Sequence, residues 1–287
     1  MGTGKAQEAV KQAVEQGSRG VFRREFLKEI GTGLVAIAGV GVLAKAVAAA
    51  PAATSSVMDR MKEDLGRALK KQPAQRHWAM AIDLKKCVGC KACTVACRAE
   101  NKTPPGVTYR PVFEETEGSY PAIKRTHRPR PCMHCEKPAC LQACPADAIK
   151  RRPDGIVYVD YDVCQGIKAC IPACPYGVPA FDEGNYFTEG TPYVATIETA
   201  ATFEMGIKRE RNSPDRSPIG KMRKCHYCLH RLESGMLPAC ATTCIGHATF
   251  FGDLNEGSSL IAELARSLRV KKLKEEAGTK PTTFYLV

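Results

Sequence analysis

Long apolar runs are scarce in this sequence, and a helix that crosses a membrane takes about 20 such residues. The longest candidate, Gly31 to Ala44, is a weakly apolar run of fourteen Gly- and Ala-rich residues. No Ser/His/Asp arrangement, carboxylate pair or phosphate-binding loop rises above chance, so catalytic residues are expected to be absent. Acid is also in short supply: 30 Asp and Glu stand against 42 Lys and Arg, a formal charge of +12. The basic residues are scattered and form no aromatic-interleaved stripe, which argues against nucleic acid as a partner. Cysteine is missing from the first 86 residues and from the last 43, yet the chain of 287 holds fifteen.

Those fifteen fall into four groups. Group one is Cys87, Cys90, Cys93 and Cys97, and group two is Cys132, Cys135, Cys140 and Cys144 followed by Pro145. Group three, Cys164, Cys170 and Cys174-Pro175, repeats the first spacing except that Ile167 stands where the second cysteine belongs. Group four, Cys225, Cys228, Cys240 and Cys244, contains a longer excursion. Three cysteines two residues apart on a tight loop can bend their sulfurs around one face of an iron-sulfur cubane and leave the fourth iron to a remote thiolate. In two-cluster ferredoxins the fourth cysteine of each run serves the other cluster, so such motifs work in pairs.

Closed zinc sites draw on two C-x2-C knuckles, whereas all four groups end in C-x3-C, with a proline following in groups two and three. Disulfides are the other rival in an exported chain, but the count is odd and the cysteines are too dense for separate bridges. His134 and His226 lie inside cysteine loops, where hydrogen bonding to cluster sulfur competes with an ordinary packing role. Charge agrees with clusters as well. The first 50 residues hold 7 of the 42 basic and 4 of the 30 acidic residues, leaving 35 against 26 in the remainder. Four thiolate-held clusters would bring about eight negative charges to offset that surplus.

Residues 1–50 look like a twin-arginine export signal: Arg23-Arg24 precede Phe26, Leu27 and Lys28, then the apolar run, then small residues near Ala49 that suit a signal peptidase. Phe22 departs from the usual Ser or Thr, and retention as an anchor is the competing reading. That route moves folded proteins, which suits clusters built before export. A lead-in at 51–76 carries Met58, Met61, Leu65 and Leu69 at helical spacing. Trp78 to Asp83 reads as a strand, 98–131 as loops with an irregular hairpin, and Pro153-Asp154-Gly155 as a turn before the strand Ile156 to Val159. Residues 182–224 have no clear period and include the polar run Lys208 to Arg216, as a surface loop or partner-binding insertion would. Leu260 to Lys274 reads as a helix and Thr283 to Val287 as a terminal strand.

The runs Met80 to Asn101 and Cys225 to Cys240, taken with these spacings, resemble the four-cluster iron-sulfur subunits of molybdopterin oxidoreductases, and among them most closely the tetrathionate and polysulfide reductase subunits. The resemblance covers 76–287 apart from 182–224. It implies an α+β fold of two pseudo-symmetric bacterial-ferredoxin-like halves with loop insertions. The first half comprises 77–131 and 222–287, the second 132–181, and 182–221 is an insertion. Carried over residue by residue, one [4Fe-4S] cluster takes Cys87, Cys90, Cys93 and Cys244, a second Cys225, Cys228, Cys240 and Cys97, and a third Cys132, Cys135, Cys140 and Cys174. Cys164, Cys170 and Cys144 remain, and Ile167 implies a [3Fe-4S] cluster there, the alternative being a fourth iron carrying water or hydroxide. The implied role is electron transfer between a molybdopterin-containing catalytic subunit and a membrane quinone-reactive subunit, on the periplasmic side of the cytoplasmic membrane. Other respiratory complexes, such as a hydrogenase or a nitrite or sulfur-metabolism complex, are the rival setting, and a zinc-stapled binding module is the rival from another class.

Overall fold

Helix α1 (Val57–Leu69) starts where the backbone N–H of Asp59 donates to the Ser56 hydroxyl oxygen at 3.1 Å, the side-chain cap that short polar residues supply at helix starts. The computed structural model describes residues 56–191, 196–204, 207–209 and 217–287. The export signal read from the sequence lies outside them, as do residues 210–216 of the polar run. Met61, Leu65 and Ala68 form the buried face of α1, with Met58 and Leu69 at its margins. Asp64 is buried among them and accepts from the N–H of Leu260 at 2.7 Å, tying the lead-in to the far end of the chain.

Strand β1 (Trp78–Asp83) is buried along its whole length, which explains its unbroken apolar sequence: both faces and both edges are covered. The chain then forms helix α2 (Ala92–Asn101) and an antiparallel hairpin of β2 (Val112–Glu117) and β3 (Lys124–Pro129). The hairpin expected within 98–131 is present but regular, with six residue pairs in register, and the first residues of that segment belong to the helix, which continues through Asn101. Pro and Gly in the sequence mark the ends of this hairpin and do not interrupt it.

Helix α3 (Ala139–Gln142), β4 (Ile149–Arg151), β5 (Val157–Val159) and helix α4 (Cys170–Ala173) make a smaller unit in which α3 packs on α4 and β4 pairs with β5. The turn at Pro153-Asp154-Gly155 lies between these strands as read, although pairing begins one residue later than Ile156. Strand β6 (Ala180–Phe181) opens the long segment. Helix α5 (Thr196–Thr199), β7 (Thr202–Glu204) and β8 (Ile207–Arg209) lie within it, and β9 (Met222–Arg223) returns to pair with β6. The segment therefore carries secondary structure and is closed at its base, where Gly220 N–H donates to Asp182 O at 2.8 Å.

Helices α6 (Leu229–Glu233) and α7 (Ala239–Thr242) precede β10 (Thr249–Asp253), and α7 packs against α2. Strand β10 runs antiparallel to β1, and α8 (Leu260–Ala265) covers it together with α1. The expected helix from Leu260 to Lys274 ends early, at Ala265. Val270 and Lys271 form β11, paired with the terminal strand β12 (Thr283–Leu286). Tertiary pairing outweighs helical periodicity here: Arg269 reaches Asp83 at 2.9 Å and the Val287 carbonyl at 3.1 Å. The resulting sheet has the order β10, β1, β12, β11. Trp78 stacks on Phe251 at 5.3 Å, and Tyr227 meets the same ring edge-on at 5.1 Å.

Arg223 and Asp182 are fully buried and 2.9 Å apart, and the guanidinium also donates to Tyr109 Oη and the Asn101 carbonyl, each at 3.0 Å. Removing one partner of such a pair leaves an uncompensated buried charge. Asp182→Ala is therefore expected to lose about 3–5 kcal/mol, read as an earlier denaturation midpoint of the loaded protein; a midpoint equal to wild type would show that the pair contributes nothing.

Candidate metal centres

Strand register brings distant cysteines together. Ile82 of β1 faces Thr249 of β10, and Cys87 and Cys244 each stand five residues beyond that pair on the same side. Ile149 of β4 faces Val159 of β5, and Cys144 and Cys164 stand at the same five-residue offset. The two strand pairs, far apart in the chain, present cysteines in the same way.

The loops also share one backbone conformation. Gly89, His134, Gly166 and Tyr227 each lie two residues after the first cysteine of their group, and all four have positive φ, at 70°, 43°, 70° and 59°. A left-handed residue there curls the loop so that successive N–H groups face inward. The N–H groups of His134 and Tyr227 donate to Cys132 Sγ and Cys225 Sγ, each at 3.5 Å. Those of Ala148 and Ala248 donate to Cys144 Sγ at 3.3 Å and Cys244 Sγ at 3.2 Å. Group three keeps this turn with Ile167 at the position where the other three groups carry a cysteine, and space requires its glycine: a Cβ on Gly166 would lie 2.4 Å from the Gly220 carbonyl oxygen.

Three hollows result. Cys87, Cys90, Cys93 and Cys244, the first set above, line one. Cys132, Cys135, Cys140 and Cys174, the third set, line another beside Lys224 and Thr279. Cys144, Cys164 and Cys170, the fourth set, line a further one with Ile167 on its wall. The remaining four, Cys97, Cys225, Cys228 and Cys240, are buried together. Asn101 Nδ2 lies 3.5 Å from Cys97 Sγ and 3.8 Å from Cys228 Sγ. Among the described residues no three ligand-type side chains close on one metal ion. Sulfurs set around a hollow fit a multi-iron cluster better than a single zinc.

Burial, the leading cause, pushes the thiols up: Cys225, Cys135 and Cys140 to about 12, Cys170 to about 11, and Cys97 well above the ordinary range. Neighbouring sulfurs add to this at Cys97 and Cys135. Isolated thiolates are disfavoured in these positions, so the sites suit sulfur whose charge is shared with iron.

The histidine rings play a packing part. His134 is fully buried and stacked on Tyr227 at 3.7 Å, with Nδ1 accepting from the Val157 N–H at 3.1 Å. Burial, then Lys224 and His226, hold it well below the ordinary imidazole range, so it is neutral. The His134 backbone N–H, and not the ring, reaches the sulfur of Cys132. His226 Nδ1 accepts from the Leu229 N–H at 3.1 Å. Reading the sequence missed Asn101, Arg110 and Lys224, all of which touch or face cysteine sulfur. Asn101 at four residues from Cys97 and Lys224 next to Cys225 carry a weak positional signal; Arg110 carries none.

Comparison with known proteins agrees with this chemistry. A family model described as a 4Fe-4S dicluster domain matches residues 123–196 and 213–254, and one described as a 4Fe-4S binding domain matches 78–99. A selenate reductase subunit of Mesobacillus selenatarsenatis is 52% identical over 81% of this chain and 80% of its own length. The chain is an iron-sulfur subunit of the molybdopterin reductases. Further members of the family are the arsenate respiratory reductase iron-sulfur subunit of a Shewanella species, 36% identical over 72% of this chain and 94% of its own, and a tetrathionate reductase subunit of Salmonella typhimurium, 38% identical over 74% and 73%. Membership brings ferredoxin-like [4Fe-4S] domains, an electron-transfer role and a molybdopterin catalytic partner.

Thiols that titrate only near pH 11–12 stay protonated at neutral pH, so each ligation releases a proton and loading is favoured as pH rises. Reconstituting the iron-free chain with iron and sulfide is expected to give more bound iron at about pH 8.5 than at about pH 7. Bound iron and visible absorbance read the yield, and a yield independent of pH would contradict the protonated state of these thiols.

Proposed function

We propose that this chain relays electrons between a molybdopterin catalytic subunit and a membrane quinone-reactive subunit through three [4Fe-4S] clusters and one [3Fe-4S] cluster. The observation that carries the reading is that the cysteine sets are neighbours and that two of them reach the surface. Cys90 is exposed in the first set, and Ile167 is 53% exposed in the fourth, while all four cysteines of the second set are buried. Met222 lines the fourth hollow, Lys224 the third, and Cys225 belongs to the second set. Three steps of extended backbone span about 10 Å, so these sets are near neighbours.

The ligands would be Cys87, Cys90, Cys93 and Cys244; Cys97, Cys225, Cys228 and Cys240; Cys132, Cys135, Cys140 and Cys174; and Cys144, Cys164 and Cys170. The matching strand offsets and left-handed turns support two pseudo-symmetric ferredoxin-like halves. When bound, the clusters supply one-electron carriers. The chain's own part is to hold them, exclude water and set their potentials through N–H···S bonds, burial and charge.

For the catalytic partner, 52% identity to a selenate reductase subunit against 38% to a tetrathionate one favours a selenate-type reductase over the tetrathionate or polysulfide type suggested by the motifs. No helix among the described residues is long and apolar enough to cross a membrane. The Arg23-Arg24 segment supports export to the periplasmic side of the cytoplasmic membrane, where a partner would supply the anchor.

The purified complex is expected to hold about 15 irons in this chain, four in each of three clusters and three in the last. As isolated under oxidising conditions it should show a three-iron signal in low-temperature electron paramagnetic resonance, and Ile167→Cys should abolish that signal and add one iron. Absence of the signal from the wild type would sink the ligand assignment. In membranes, deleting the chain should abolish quinol-driven selenate reduction and spare reduction driven by an artificial donor to the catalytic subunit. Quinol-driven turnover that survives the deletion would overturn the relay.

A further inference from the structure

Among the described residues, buried Asp, Arg and Lys side chains are paired with opposite charge, with two exceptions. Asp64, Asp83, Asp154, Asp182 and Asp253 are all nearly inaccessible, and each meets a lysine or arginine; buried Arg223 meets Asp182. Arg110 and Lys224 are equally buried, at 1% and 2% exposure, and no carboxylate among the described residues pairs with either. A buried cation without an anion is costly, by enough that proteins neutralise or remove it.

What surrounds these two cations is sulfur. Arg110 donates to Thr249 Oγ1 at 2.7 Å and to Met80 Sδ at 3.0 Å, neither of them charged. Thr249 lines the hollow of the first set, and Arg110 faces Cys93 there and Cys240 and Cys225 of the second. Lys224 Nζ donates to the carbonyls of Val157 and Cys225 and lies 3.5 Å from Cys132 Sγ. Three acceptors account for the three N–H groups of an ammonium. It lines the third hollow and acts on Cys135 and Cys140 there, and on Cys225 of the second set.

We propose that Arg110 and Lys224 are positioning charges of the relay: Arg110 is the shared counter-cation of the first and second cysteine sets, Lys224 that of the second and third, and each raises the reduction potential of both sites it separates. The inference rests on the cluster reading above. Reduction adds one electron and makes a site more negative, so a fixed cation stabilises the reduced form. Because each cation lies between two sets, it favours an electron on either side of it and levels the two potentials for transfer across the gap. The fourth set has its own nearby lysine, Lys221, which donates to the Cys164 carbonyl at 2.5 Å and is left unchanged by either substitution.

The test is a potentiometric titration of the purified complex, followed by electron paramagnetic resonance, with waves assigned through single ligand variants. Arg110→Gln is expected to lower the potentials of sites one and two, and Lys224→Gln those of sites two and three. Each shift should be at least tenfold in the reduced-to-oxidised ratio, about 59 mV for a one-electron couple. The fourth site should not move, and Arg110→Lys and Lys224→Arg should stay close to wild type. Unchanged potentials in a fully iron-loaded Gln variant would overturn the proposal, as would equal shifts from the charge-keeping and charge-removing variants. If a Gln variant loads no iron, its charge-keeping counterpart decides: normal loading supports a counter-charge, and failure of both reduces the residue to packing. A wild-type chain that holds no iron would instead defeat the relay reading itself.

Discussion

Strand register is the constraint on which the cysteine sites depend. Pairing of Ile82 with Thr249 and of Ile149 with Val159 fixes where Cys87, Cys244, Cys144 and Cys164 can stand. A slip of one residue would turn every side chain of a strand to the opposite face and would separate sulfurs that lie more than 150 residues apart in the chain, as Cys87 and Cys244 do. Pairing of β1 with both β10 and β12, covered by α1 and α8, makes such a slip expensive because the whole strand is buried.

The second constraint is charge in a dry interior. Sulfurs are drawn inward by the same packing that raises their proton affinity, so the site is poised for iron and poorly suited to free thiolate. Backbone N–H groups from left-handed turns, the Asn101 amide and two carboxylate-free cations all point at that sulfur. Each is a donor or a positive charge, the polarity that a net anionic cofactor calls for. The outer surface is independent of this: the exposed ion pairs along the β2–β3 hairpin contribute little.

The long segment between β6 and β9 sits apart from the ligand chemistry yet is anchored to it. Its base is closed by Asp182 and Arg223, and Thr202 donates to the Asn101 carbonyl at 2.9 Å, next to the amide that faces Cys97 and Cys228. An insertion attached in this way can vary on its outer side without moving the sulfurs.

Cysteine spacing alone pointed to iron-sulfur chemistry, because the reach of a short loop leaves few arrangements for three sulfurs two residues apart. The strand at Trp78 to Asp83 was legible because its signal is local. The turn at Pro153-Asp154-Gly155 was legible too, through residues that carry their conformation with them. Only the tertiary structure decided that Val270 and Lys271 leave the helical pattern to pair with the C-terminal strand, and that 98–131 holds a regular hairpin. It alone brought Arg110, with no signature in its own neighbourhood, onto Met80 and Thr249 beside cysteine sulfur. Those outcomes depend on partners distant in the chain, and a hydrogen bond or field contributed by a remote residue leaves no periodicity in the segment that receives it.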